Sequence, residues 1–81
     1  MIIKTWIYRG VTVTDAEHHV QAVSVSGTDM TFAVSIRAPG ETEELERVFH
    51  GGGYSSGGGD VVIQAETVLL AQPAYDGAVQ G

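Results

Sequence analysis

The sequence predicts an α+β fold: a small antiparallel β-sheet, a meander around a central hairpin at residues 18–37, covered by one C-terminal helix. Three observations predict it. Two alternating apolar–polar runs flank a turn at Ser26-Gly27-Thr28-Asp29. A helical apolar stripe follows Asp60 and stops at Pro73. Two glycine triplets separate these two patterns. A sheet with one apolar face needs a cover, and the helix supplies it.

Residues 2–8, IIKTWIY, are rich in β-branched and aromatic types and read as a strand ending at Arg9-Gly10. VTVT (11–14) continues that strand or starts a second short one, and Asp15-Ala16-Glu17 is a polar turn. The hairpin carries Gly27 at the first central position of a two-residue type II′ turn. That register sets Val25 opposite Met30, Val23 opposite Phe32, Gln21 opposite Val34 and His19 opposite Ile36. One face then collects Val23, Val25, Met30, Phe32, Val34 and Ile36. The other pairs Ala22 with Ala33, Ser24 with Thr31 and His18 with Arg37. Ala38-Pro39-Gly40 ends the hairpin.

ETEELERVFH (41–50) carries both helix and strand signals. Strand is the preferred reading, because the hairpin's edge needs a neighbour. It places Leu45 and Phe49 on one face, Val48 and His50 on the other. Asp60 is the N-cap of a helix over 60–72 whose stripe is Val61, Ala65, Val68 and Leu69, widened by Val62 and Leu70. In the tail, Tyr75 and Val79 are placed to pin back onto the body. The chain is one small domain: a β-sheet region over 1–50, a glycine-rich loop over 51–59, a helix over 60–72 and a tail over 73–81.

Eighty-one residues bury only roughly 60–65% of the surface exposed on unfolding, and with no cysteine there is no disulfide to supplement the core. Association into a homo-oligomer or a larger assembly is the expected remedy. No apolar run approaches the ~20 residues of a spanning helix, and the N-terminus lacks the pattern of a signal peptide. The reading is therefore no membrane and an origin in the cytoplasm. A net charge of −6, from ten acidic and four basic residues, disfavours nucleic acid as a partner.

HGGGYSSGGGD (50–60) is not a phosphate loop of the Walker type, since that loop needs a lysine and the chain's only lysine is Lys4. A flexible connector is the expected role, with Tyr54 as its one aromatic. His18, His19 and His50 are the candidates for acid–base or metal chemistry. Neighbours in a strand point to opposite faces, so His18 and His19 do not share a metal; His50, His19 and Glu17 have no ligand signature. No serine sits in a nucleophile elbow. Glu44 and Glu46, on one face of a strand, would lie ~7 Å apart and imitate successive phosphates. The expectation is no catalytic residue, no cofactor, no metal and no enzyme activity.

KTWIYRGVTVTDAEHHVQAVSVSG (4–27) and VVIQAETVLLAQPAYDGAVQG (61–81) resemble a family of small proteins from the late, structural gene blocks of tailed bacteriophages. The shared features fall on Gly10-Val11-Thr12-Val13, on Val20 through Gly27, and on Gln72-Pro73-Ala74-Tyr75 with Ala78. GGGYSSGGGD stands where the family usually has an acidic loop containing Asn and Pro. The resemblance implies a virion-associated structural or adaptor protein, of the tail or its fibres before a capsid decoration. Its partners would be other virion proteins or copies of itself. Candidate contact residues are Trp6, Tyr8, Tyr54 and Tyr75, by the enrichment of Trp and Tyr at interfaces; Trp6 reads as core before contact. The alternative function is a small acidic accessory protein that inhibits a host defence or nucleic-acid-handling protein.

Overall fold

The structure, a computed structural model, describes residues 1–80; Gly81, the end of the anticipated tail, lies outside the described residues. The fold is mostly antiparallel sheet with one C-terminal helix, the predicted α+β class. In chain order the elements are β1 (Ile2–Ile3), β2 (Trp6–Tyr8), β3 (Val11–Val13), β4 (Glu17–Ser26), β5 (Asp29–Arg37) and β6 (Glu44–Gly53). Helix α1 (Val61–Leu70), a 3₁₀ turn (Pro73–Tyr75) and β7 (Val79–Gln80) follow. The main sheet runs β6-β5-β4-β1-β7, and all its pairings are antiparallel. β2 and β3 form a separate small hairpin.

Local chemistry explains the turns. Tyr8 pairs with Val11, so Arg9 and Gly10 form a two-residue loop with φ of 51° and 79°, the double positive φ of a type I′ turn. VTVT is thus a second strand and not a continuation. Ser26 pairs with Asp29, and Gly27 has φ 63° while Thr28 does not enter the positive region, in keeping with the predicted II′ turn. Within the segment 41–50 the preferred strand forms from Glu44 onward, where β6 pairs with β5, while residues 41–43 stay outside it.

The hairpin register holds only near its turn. Val25 opposes Met30 and Ser24 opposes Thr31 as expected, but Ala22 and Val23 together face Phe32 in a β-bulge. Ala22 sits in the left-handed region at φ 52°, a conformation costing an L-residue roughly 1–2 kcal/mol. Beyond the bulge every pairing is one residue away from the expectation. Gln21 meets Ala33, His19 meets Ser35 and His18 meets Ile36. The extra residue turns His18 and Val20 toward the core and His19 and Gln21 away from it. Of the expected apolar face, Met30, Phe32, Val34 and Ile36 are buried, Val23 packs at the margin, and Val25 stays exposed beside the turn.

Helix α1 lies on the core face. Asp60 caps it as predicted, Oδ1 accepting from Val62 N (2.8 Å) and Ile63 N (3.3 Å). Ala65 and Leu69 are buried, Val61, Val68 and Leu70 pack against the core, and Val62 faces outward. Burying a side chain such as Leu69 or Ile2 contributes about 1.5–3 kcal/mol.

The glycine stretch is not a slack connector over 51–59. Its first triplet belongs to β6, with Gly51, Gly52 and Gly53 opposite Thr31, Met30 and Asp29. A Cβ on Gly52 would lie 2.7 and 2.8 Å from the two γ-carbons of Val68, so the missing side chain is what lets α1 approach the sheet. The rest of the stretch is held by one side chain. Gln64 accepts from Ser55 N (3.0 Å) and donates to the carbonyls of Ser55 (2.9 Å) and Gly59 (3.1 Å). Nor is the tail loose, since β7 adds a strand beside β1.

Gly52→Ala is expected to lower stability by about 1–3 kcal/mol in urea unfolding, because a β-branched side chain on a helix has no room to yield. Gly53→Ala, with open space around the new Cβ, is expected to stay within about 0.5 kcal/mol of the parent. Equal effects from the two would contradict the close helix approach.

Candidate functional site

The bulge delivers His18 into a cluster of rings. Trp6 and His18 meet edge to face at 5.0 Å, His18 and Tyr75 at 5.0 Å, and Trp6 and Tyr75 lie tilted at 5.4 Å. His50 reaches Tyr75 at 6.2 Å and stacks on Phe32 at 6.0 Å. Such pairs contribute about 0.5–1.5 kcal/mol beyond their burial. Trp6 Nε1 donates to Glu46 Oε1 at 3.0 Å, tying the β2–β3 hairpin to β6.

His18 is fully buried, and both of its nitrogens are used. Nε2 is 3.0 Å from the Lys4 carbonyl oxygen and Nδ1 is 2.8 Å from Tyr75 Oη. The carbonyl only accepts, so Nε2 carries the proton and Nδ1 accepts from the Tyr75 hydroxyl. Burial holds the His18 pKa below its ordinary 6.5 and pushes the Tyr75 hydroxyl upward. The arrangement is a neutral hydrogen-bond chain closed off from solvent. It orders the core, and His18 presents no surface to solvent.

On the other face of the sheet the polar side chains bond in local pairs and cover a buried Ser35. His19 Nε2 is 2.9 Å from Glu17 Oε1, and Glu17 Oε2 accepts from Gly40 N at 3.0 Å. Arg47 donates to Glu44 and, at 3.1 Å, to Gln21 Oε1; Arg37 Nε donates to Ser35 Oγ. The Gly40 hydrogen bond, then His19, lowers the Glu17 pKa; Ser35, then Arg47, lowers that of Glu44. His19 and Glu17 therefore lie on one face of the sheet and His50 on the other, so the three do not converge on a metal site. Glu44 and Glu46 are also separated. A second irregularity, between Ile36 and Arg37, sends Glu44 to Arg47 on the outer face and Glu46 to Trp6 on the core face. The phosphate-like spacing does not form.

The exposed apolar groups lie elsewhere. β6 is an edge strand of ten residues, paired among the described residues with β5 alone. Phe49, on its outer face, is 75% exposed. Ile7 and Val11 on the small hairpin and Ile63 on α1 are also exposed. A groove of about 300 Å³ between the glycine segment and α1 is lined by Gly53, Gly58, Ile63, Gln64, Thr67 and Val68. Its polar side chains are engaged within the chain, Gln64 with the loop and Thr67 Oγ1 with the Ile63 carbonyl at 3.0 Å.

Of the four anticipated contact residues, the structure brings Trp6 and Tyr75 together and leaves Tyr8 and Tyr54 apart. Tyr75 is 1% exposed, so it does not serve as a contact residue; its hydroxyl is required by His18. Trp6 is half-buried and packs on the core. Tyr54 packs at the core margin, its backbone N–H bonded to the Thr28 carbonyl at 2.7 Å. Tyr8 remains accessible, with the Arg9 guanidinium 5.1 Å above its ring. The residue overlooked as a contact is Phe49. The signal was present, since strand alternation sets Phe49 opposite in facing to Val48 and His50. No known protein family, curated protein or solved structure matches this chain.

The buried histidine generates two predictions. Tyr75→Phe leaves Nδ1 of His18 without its donor and is expected to cost about 1–3 kcal/mol at pH 7.5, read by urea unfolding. The second concerns pH. Burial depresses the folded pKa values of His18 and His50 below 6.5, so the unfolded chain takes up protons first as pH falls. Their contribution is present above pH 6.5 and is lost as pH drops from there toward the folded values. Glu17 and Glu44, depressed below 4.5, add a second loss in the same direction below pH 4.5. Thermal midpoints should decrease on going from about pH 8 to about pH 5.5, and His18→Gln should flatten that slope while lowering the midpoint at the alkaline end. An unchanged slope would remove His18 as its source.

Proposed function

We propose that this protein is a non-enzymatic packing subunit, a structural or adaptor protein of a tailed-phage particle that acts through protein–protein contacts. The observation that carries this reading is the open β6 edge with Phe49 exposed beside it. A long unpaired edge is a template for another strand, and chains that remain solitary usually blunt it. The resemblance of residues 4–27 and 61–81 to small phage structural proteins supplies the setting. The size of the chain supports it too, because a marginal core gains stability when only the folded state binds a neighbour.

The functional groups lend themselves to packing more than to chemistry. His18 and Tyr75 are closed off, and the surface histidine His19 is paired with Glu17. The inhibitor alternative loses its most concrete feature with the separation of Glu44 and Glu46.

Quantitative mass spectrometry of purified particles from the phage or prophage encoding this chain tests the proposal. The expected result is the protein at a fixed ratio to the major capsid protein. Abundance in infected cells with clean absence from particles would overturn it and favour the inhibitor.

A further inference from the structure

We infer that the β6 edge pairs with β6 of a second copy of this chain, antiparallel about a two-fold axis through Val48, to make one continuous ten-stranded sheet. This rests on the packing-subunit reading and specifies its first partner.

An antiparallel pair related by a two-fold axis sets residue k opposite its own mate, and residues k+n opposite k−n. β6 therefore offers only a few symmetric registers. Centring on Arg47 would set two guanidinium groups against each other, a like-charge pair that destabilises a sheet. Centring on His50 would oppose Val48 and Arg47 to Gly52 and Gly53, leaving those side chains without cross-strand partners. Centring on Phe49 would set Arg47 opposite Gly51 and Glu46 opposite Gly52, so neither side chain would gain a cross-strand partner.

Centring on Val48 matches every side chain from Glu46 to His50, and symmetry makes each match twice. Val48 meets Val48 of the second copy. Phe49 meets Arg47, whose guanidinium makes its hydrogen bonds in plane to Glu44 and Gln21 and keeps a flat face for the ring. His50 meets Glu46. Glu46 gives only Oε1 to Trp6, so Oε2 is available to accept from the imidazole. Both Glu46 and His50 are half-exposed although they lie on the core-facing side, since among the described residues no strand lies beyond β6. Phe49 also gains its own mate on the diagonal, within reach for an aromatic ring. From Glu46 to His50 the edge is thus complementary to itself in charge and in shape.

The chain has no cysteine, so single-cysteine variants of the full chain report the register directly. Val48→Cys is expected to form a disulfide-linked dimer under mild oxidation much faster than Phe49→Cys, because directly opposed residues approach to about 4.5–5.5 Å while diagonal ones stay roughly 7–8 Å apart. Sedimentation velocity of the native chain should show a monomer–dimer equilibrium. Phe49→Lys, which sets a lysine opposite Arg47, should raise its dissociation constant roughly tenfold or more. Phe49 is 75% exposed, so circular dichroism should show that variant folded. A native chain that stays monomeric at all concentrations, or faster cross-linking through Cys at 49 than at 48, would overturn the inference. A monomer in solution that still occurs in particles would leave the proposed function standing. A cross-linked dimer absent from particles would do the reverse.

Discussion

A buried imidazole that must have both nitrogens satisfied is the constraint on which the rest of this structure depends. His18 is fully buried, and an unmet hydrogen-bonding group at that depth costs more than most single contacts return. Its two partners come from distant regions of the chain: the carbonyl of Lys4 and the hydroxyl of Tyr75, 14 and 57 residues away. Meeting them fixes the path of the N-terminal segment across β4 and draws the 3₁₀ turn onto the core. β7 then falls beside β1, and the sheet grows from three strands to five. No buried side-chain nitrogen or oxygen among the described residues is left without a partner.

The bulge at Ala22 is upstream of that arrangement. Without the extra residue, His19 would face the core and His18 would lie among the charged groups of the outer face. The left-handed backbone of Ala22 is a local cost that secures the hydrogen-bond chain and its ring contacts. A related exchange operates at Gly52, where giving up a side chain on the core face lets Val68, and with it the helix, come close. Both positions break the plain strand pattern, and both serve the same end, a closed core in a chain too small to build a thick one.

The two faces and two edges of the sheet then divide the labour. One face holds the core. The other carries small and charged side chains bonded in local pairs, Glu17 with His19, Ser35 with Arg37 and Gln21 with Arg47. One edge is closed by the two-residue strand β7, while β6 is long, unpaired on its outer side among the described residues and marked by an exposed ring. Of the three imidazoles, His18 is buried, His19 is paired with Glu17, and His50 stays half-exposed near the β6 edge.

The α+β class, the 18–37 hairpin with its glycine turn, a strand within 41–50 and the Asp60-capped helix were all legible in the sequence. Each depends on near-neighbour chemistry: a period of two or 3.6, a glycine where φ must be positive, a carboxylate before the first turn of a helix. The alternation around Phe49 also marked which face it would occupy, though not that the face would stay bare. Four matters lay beyond that local range: the bulge, the choice between His18 and His19, the capture of Tyr75, and the recruitment of Gly51–Gly53 into a strand. Whether two adjacent residues slip by one depends on what waits on each side of the sheet, and that is set by segments up to 57 residues away. Sequence by itself determined the elements and their order. Tertiary structure decided which face each residue took, because burial and hydrogen-bond satisfaction are settled only when the distant partners arrive.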